Sequence, residues 1–367
     1  MPMTPAAVSE DGWPQLLARL AGAAAVDASA IASGALKRRR EVRDGASLLR
    51  LGLAYGPGGL SLREAAAWAE AQGVASVSDV ALLKRLRAAA DWYGALAGQL
   101  LAARAGVGPS QAGERALRLV DGTVLSAPGS RGSDWRLHVA YDPLAQRFTA
   151  LELTDGHGAE RLERLPVVPG EIRLGDRGFG TRPDGLQALS EGPGDYVVRV
   201  GWRGLHWCSP DGGRFDMLGF LRALGSTATG EARVAIGRAR GKHGWQPVTA
   251  RLIAVALPPE QAEQARQRAR RAASKNGQQL QAGTLEAAGF LLLLTSLEPA
   301  EYSAAQVAAL YRLRWQVELA FKRLKSLLHL DELRAKDPAL ARAWIYAHLI
   351  AALMLDEDAQ QALDSPP

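Results

Sequence analysis

Between Tyr311 and Leu328 the chain reads YRLRWQVELAFKRLKSLL, and Leu310, Leu313, Val317, Phe321, Leu324 and Leu328 recur every three or four residues. That period predicts one helix with an apolar stripe turned towards a core. Beside the stripe, Tyr311, Arg314, Glu318, Lys322 and Lys325 stand at −7, −4, 0, +4 and +7 relative to Glu318. They therefore share a face of a helix of about 3.6 residues per turn. Ordinary i,i+4 ion pairs on a solvated face, about 0.2–0.5 kcal/mol each, are one account of that face. One carboxylate among a phenol and three cations also suits a metal ion held beside a phosphate.

The first 110 residues have a helical rhythm throughout. Helices are expected over Trp13 to Ala25, Gly45 to Leu53, Leu62 to Ala71 with Ser61 as N-cap, from Ser78-Asp79 through Leu86, and over Asp91 to Ala102. The piece from Ser61 to Ala90 has the order helix, Gly-containing turn, capped helix, and carries Lys84, Arg85 and Arg87. A DNA-reading helix-turn-helix and a plain helical hairpin both fit it. The basic run Lys37-Arg38-Arg39-Arg40 suits a phosphate backbone or a solvated helix end equally.

After the loop-like stretch Gly106 to Gly113 the pattern becomes strand-like. Strands are expected over Ala116 to Val120, Arg136 to Tyr141, Phe148 to Leu153, Glu171 to Leu174 and Tyr196 to Val200, with short helices at Glu160 to Leu165 and Pro183 to Ser190. Three antiparallel strands followed by helix, strand, helix and strand make the order of an RNase H-like α/β core. Residues 201–288 interrupt it with strands at Arg233 to Arg238 and Val248 to Leu257 and a basic helix from Glu260 to Ala273. A buried strand, Phe290 to Thr295, then precedes the Tyr311 helix, whose start Ser303 caps. Pro338 to Leu355 reads as a last helix and Asp356 to Pro367 as a loose tail. The expected units are a helical DNA-binding domain (1–110), the first part of the core (111–200), a β-rich insertion (201–288), the rest of the core (289–335) and a C-terminal helix and tail (336–367).

Composition narrows the chemistry. With 367 residues, 47% hydrophobic and 22% charged, the chain can bury a sizeable core. A formal charge of +6 and a pI near 9.6 suit a polyanion partner without establishing one. A lone cysteine, Cys208, excludes an intrachain disulfide framework and multi-cysteine zinc sites, and the six histidines form no HExxH. Metal chemistry must therefore use carboxylates, which favours Mg²⁺ or Mn²⁺. No apolar run approaches the roughly 20 residues of a membrane span, and a cytoplasmic location is expected.

Asp121 and Asp176 are each expected just after an apolar strand and just before a glycine or one residue away from it, at the carboxyl edge where open α/β sheets present functional groups. With Glu318 they could converge. Three carboxylates at one place repel unless cations lie between them, and two divalent ions about 3.5–4 Å apart would hold attacking and leaving oxygens in line. An Asp before Gly is also a common turn former; Asp142 and Asp155 are read that way, and Asp134 competes for the first position.

Taken together these residues resemble a known family. Tyr311-x2-Arg314-x3-Glu318-x6-Lys325 is similar to the YREK signature of bacterial insertion-sequence DDE transposases of the insertion-sequence-four type. Val120-Asp121-Gly122-Thr123 resembles that family's first-aspartate motif, and Gly175-Asp176-Arg177-Gly178-Phe179 its second. The 142 positions from Asp176 to Glu318 (318 − 176) resemble its β-rich insertion, and the resemblance covers roughly residues 115–330. It implies a cut-and-paste transposase acting on double-stranded DNA, at transposon ends and target, as a homodimer in a synaptic complex. Asp121, Asp176 and Glu318 would be catalytic and metal-binding, and Tyr311, Arg314 and Lys325 would hold phosphates, with Lys322 beside them. A base flipped against tryptophan is a family feature, for which Trp202, Trp207, Trp245 and Trp315 are candidates. Only 42 residues (367 − 325) follow Lys325, short for the dimerisation region some relatives carry. The alternatives are a catalytically idle or domesticated DNA-binding protein and a nuclease without strand transfer.

Overall fold

The computed structural model describes residues 12–105, 115–225, 228–237, 247–277 and 279–364. Six helices come first: α1 (Trp13–Arg19), α2 (Ala23–Ala32), α3 (Gly45–Tyr55), α4 (Leu62–Ala71), α5 (Asp79–Ala88) and α6 (Ala90–Ala105). Ser61 starts α4 in a full capping box with Glu64, and Ser78 caps α5 by accepting from the Ala81 amide. The helix expected over Trp13 to Ala25 is instead two. Ala21 and Gly22 have φ of 62° and 92°, a left-handed step that the glycine tolerates and that no α-helix contains.

Strands and helices then alternate: β1 (Leu117–Leu125), β2 (Trp135–Asp142), β3 (Arg147–Asp155), β4 (Ile172–Gly175), α7 (Pro183–Ser190), β5 (Asp195–Arg199), β6 (His206–Cys208), α8 (Met217–Leu224), β7 (Thr229–Gly237), β8 (Val248–Ala256), α9 (Pro259–Lys275), α10 (Ala282–Ala287), β9 (Phe290–Thr295), α11 (Ala304–Arg312), α12 (Trp315–Leu328) and α13 (Pro338–Asp364). The described strands form one mixed sheet in the order β3-β2-β1-β4-β5-β9-β8-β7-β6. β1, β2 and β3 are antiparallel neighbours, β1, β4 and β5 run parallel, and β9 turns antiparallel again beside β5. Residues 201–288 thus add β6, β7 and β8 to the far edge of this same sheet.

The sheet is covered on both faces. Leu119, Leu137, Leu174, Val197 and Leu293 join one core with α1–α6, α11, α12 and α13, while Val120, Tyr196, Val198, Leu252 and Leu294 join the other with α7, α8 and α10. Alternation of inward side chains along each strand makes both cores possible. The N-terminal helices therefore bury their apolar faces against α13 and the sheet. The helix α13 runs on to Asp364 where a loose tail was expected from Asp356. Its window Pro338–Leu355 has the length and hydropathy of a membrane span, contrary to the sequence expectation, yet 72% of that window is buried inside the fold. It serves as a core helix.

His138 lies buried on β2, its Nε2 3.0 Å from the Thr154 hydroxyl. Burial first, and then the Arg164 and Arg136 charges, push its imidazole down to about 4. A depressed folded value means that the unfolded chain takes up the proton first. Stability is therefore present above pH 6.5 and is lost as pH falls towards 4. Denaturant titrations of wild type and His138→Gln at pH 7.5 and 4.5 should show a smaller acid-induced loss in the variant. An equal loss in both would rule out this account.

Candidate acidic site on the sheet edge

Asp176 follows the last residue of β4, as the sequence suggests, but Asp121 does not end its strand. It lies in the middle of β1, opposite Val139 of β2. The register between β1 and β4 explains how the two meet. Leu117 pairs with Ile172 and Leu119 with Leu174, so two residues further on (119 + 2 and 174 + 2) Asp121 comes level with Asp176. Adjacent strands are about 4.8 Å apart, and the two carboxylates feel each other's charge.

The helix carrying the third acid is broken. Instead of one helix from Tyr311 to Leu328, α11 ends at Arg312 and α12 begins at Trp315. The Leu313 and Arg314 amides donate to the Leu310 and Tyr311 carbonyls at 3.0 and 3.1 Å, three residues back, a tightened turn that needs neither Pro nor Gly. Arg314 sits at this joint and bridges two elements. Its guanidinium is 3.7 Å from the Asp121 carboxylate and donates directly to Glu318. Glu318 itself is 59% exposed, in the first turn of α12.

Tyr311, on the last turn of α11, is buried, and burial raises its phenol. Arg314, Arg199 and Asp176 are the charges around it. Gly122, Thr123, Glu318, Phe321, Lys322 and Lys325 line a cavity of about 580 Å³ that reaches His329. The structure thus brings Asp121 level with Asp176, links Arg314 to Asp121 and Glu318, sets Tyr311 near Arg314 and Asp176, and places Lys322 and Lys325 on the cavity that Glu318 lines.

A fourth acid joins them unannounced by any motif. Glu160 belongs to the loop between β3 and β4, in a stretch expected to be helical that is instead a series of turns. A Cβ added at Gly122 would lie 2.7 Å from Glu160 Oε1, and one at Gly178 would lie 3.1 Å from Asp176 Oδ1 and 3.4 Å from Glu160 Oε2. The glycines beside both aspartates are what allow this carboxylate in. Arg136 stands 3.8 Å away from it. Burial raises the Glu160 carboxyl, Arg136 opposes the rise, and Asp176 adds to it. Asp121 is pushed up to about 6, by burial first and by the Asp176 and Glu160 charges, against the pull of the Gly122 amide, 2.7 Å from its Oδ1, and of Arg314. Glu160→Gln should lower the Asp121 value, read by NMR titration of the Asp121 carboxyl; no change would separate the two groups.

The donors fit a hard divalent cation in kind: carboxylate oxygens carrying more negative charge than the nearby guanidinium offsets. Among the described residues, however, no three acidic or imidazole groups are already gathered as a ligand cluster. Asp134, the other candidate for the first position, has its carboxylate accepting the Ala127 amide at 2.8 Å within the β1–β2 hairpin. Lys84 and Arg85 lie on α5 in the helical layer. Lys84 is exposed, while Arg85 donates to the Arg38 carbonyl at 3.1 Å and pairs with Glu41 at 3.8 Å. Among the described residues, no hydrogen bond or ion pair links either to the acids. Of the tryptophans, Trp207 is buried with its indole donating to the Trp202 carbonyl, Trp202 is half-buried, Trp315 is 54% exposed beside Arg314, and Trp245 lies outside the described residues.

The family model described as "Transposase DDE domain" matches residues 112–354. The chain belongs to the DDE transposase family. It is 57% identical over 359 residues to the putative transposase InsL for insertion sequence element IS186A of Escherichia coli (strain K12), covering 98% of this chain and 97% of that protein. It is also 57% identical over 360 residues to the transposase for insertion sequence element IS421 of Escherichia coli, with the same coverage. The family match takes in Asp121, Asp176 and the whole of α12. It leaves the N-terminal helices of this transposase-family chain outside.

Proposed function

We propose that this chain is an insertion-sequence transposase that cuts DNA at the element's ends and joins the freed 3′-hydroxyl to target DNA, with Asp121, Asp176 and Glu318 as its catalytic acids. The observation that carries the reading is the parallel β1–β4 register, which brings Asp121 level with Asp176 while Arg314 links Asp121 to Glu318. The strand order β3-β2-β1-β4-β5, antiparallel then parallel, supports an RNase H-like core within residues 111–200 and 289–335. Residues 1–110, with Lys84 exposed on α5, are the part we assign to DNA recognition, and 201–288 the insertion.

Divalent ions, Mg²⁺ or Mn²⁺, two in number, would lower the pKa of a water or 3′-hydroxyl and stabilise the leaving oxygen when bound. Asp121, Asp176 and Glu318 would hold them. Burial keeps Asp121 poorly hydrated, so its charge is strongly felt by a cation entering between the strands. Arg314 offsets part of the charge of Asp121 and Glu318 in the protein alone and, with Tyr311, Lys322 and Lys325, suits the non-bridging oxygens of a phosphate. A guanidinium that alternates between carboxylate and phosphate partners would open the acids as DNA arrives. Two copies of the chain are needed to bring two DNA ends together, so a homodimer is part of this reading.

Product analysis distinguishes transposition from hydrolysis alone. The protein incubated with Mg²⁺, labelled element-end duplex and a supercoiled target should yield label joined covalently to the target. Nicked ends with no joined product would support a nuclease, and binding with no cutting would support an idle DNA-binding protein.

A further inference from the structure

The helix α9 takes no part in the site described above, yet it is the most strongly basic helix of the insertion. Its 17 residues read PEQAEQARQRARRAASK, and Ala262 is its one buried residue. The cations divide by face. Arg266 and Arg270 pair with Glu263 at 3.5 and 2.9 Å, and Arg266 also donates to the Leu285 carbonyl. Arg268, Arg271 and Lys275, with Gln264, recur at four-, three- and four-residue steps on another face. All four are exposed. Beyond Glu260 in the first turn that stripe contains no acid, and its three cations form no ion pair among the described residues. The helix dipole favours Lys275 in the last turn, but it does not reach Arg268, about two turns from the end.

Sheet topology places this helix relative to the acids. β9 is antiparallel to β5, with Leu293 opposite Arg199, and β8 is antiparallel to β9, with Ala256 opposite Phe290. The carboxyl end of β8, the start of β9 and the carboxyl ends of β5 and β4 therefore share one edge of the sheet. That edge is where Asp176 sits. The helix α9 begins at Pro259, three residues after β8, and a Cβ added at Gly289 would lie 3.3 Å from Arg266 Nη2, so its first half stays at the edge. Three strand spacings of about 4.8 Å separate β4 from β8, roughly 14 Å, so α9 starts on the same edge as Asp176, and Arg268, Arg271 and Lys275 follow in its second half.

We propose that the outer face of α9, through Arg268, Arg271 and Lys275, grips the phosphate backbone of the same duplex whose strand lies at the acids. The three cations span seven residues, about 10.5 Å of helix. The pairing of the flank cations with Glu263 leaves the outer three as the ones that displace DNA counterions. The inference rests on the DNA reading above.

The test measures binding of an element-end duplex between 50 and 200 mM salt for wild type, for Arg268→Ala/Arg271→Ala/Lys275→Ala and for the flank variant Arg266→Ala/Arg270→Ala. Alanine favours the helix, and circular dichroism checks that each variant is folded. Each phosphate contact contributes about 0.9 to the slope of log K against log salt, so the triple variant should lose about 2.7 in slope. Equivalently, wild type should lose about forty-fold more affinity than the triple variant across that range. A hydroxyl-radical footprint of wild type on the element-end duplex should include backbone protection that fades in the triple variant alone. An unchanged slope in the triple variant, or an equal drop per cation in the flank variant, would overturn the assignment to the outer face while leaving the DNA reading intact. Salt-independent binding by wild type would overturn both.

Discussion

Replacing Asp121 with asparagine is expected to abolish DNA cleavage and, at the same time, to make the protein more stable. The first effect follows from its place beside Asp176: a divalent ion there contributes several kcal/mol to transition-state charge stabilisation, and losing about 4 kcal/mol slows a reaction about a thousandfold. The second follows from the raised carboxyl. Asp121 titrates at about 6 in the fold against an ordinary value of 3.8, so the folded protein holds this proton more tightly than the unfolded chain. Relative stability is therefore greatest below pH 3.8 and is lost as pH rises through about 6. Above that pH the buried charge costs up to about 3 kcal/mol, at 1.36 kcal/mol per pKa unit. Asn removes the charge, and the gain should be about 1–3 kcal/mol at pH 7.5 with chelator present and should vanish near pH 3.8. Adding Mg²⁺ should raise the melting temperature of wild type at pH 7.5 and leave that of the variant where it was. A variant less stable than wild type at both pH values would show that Asp121 is held by its hydrogen bonds rather than strained by its charge.

The second large effect lies behind the site. Arg173 and Glu171, on and just before β4, are 1% exposed or less and form a direct ion pair. The same guanidinium donates to the Leu162 and Pro166 carbonyls, which pins the loop that carries Glu160. Removing one partner of a buried pair leaves an uncompensated charge and costs about 3–5 kcal/mol. Arg173→Met should therefore lower stability by that amount in urea titrations. The double variant Arg173→Met/Glu171→Leu should recover much of it, since two apolar groups need no counterion. If the single variant costs under about 1 kcal/mol, the pair is not what secures the loop.

What the sequence made legible was local. The Ser61 and Ser303 capping boxes, the boundaries of β9 and the place of Asp176 after β4 all depend on neighbours in the chain. Asp121 was misplaced at a strand end because Asp-Gly-Thr has turn chemistry. Pairing with β2 carries β1 on to Leu125 opposite Trp135, and tertiary pairing overrides the local signal. The break before Trp315 has no Pro or Gly to announce it, and the left-handed step at Ala21–Gly22 had only a glycine. Glu160 was out of reach altogether. Its approach to Gly122 and Gly178 is a contact between segments that no spacing encodes, and the Arg173 clamp that supports it is equally remote from any motif. The outer face of α9 was visible only as a basic helix; its position at the acid edge required the order of β5, β9 and β8.

The most direct test of the acid site is a comparison of wild type with Glu318→Gln on element-end duplex, with and without Mg²⁺. Gln keeps the length of the side chain and a hydrogen-bond acceptor for Arg314 but removes the charge. The proposed site requires Mg²⁺-dependent nicking by wild type, no nicking above background by the variant, and equal DNA binding by both. Undiminished Mg²⁺-dependent nicking by Glu318→Gln would contradict the assignment of Glu318 as a catalytic acid.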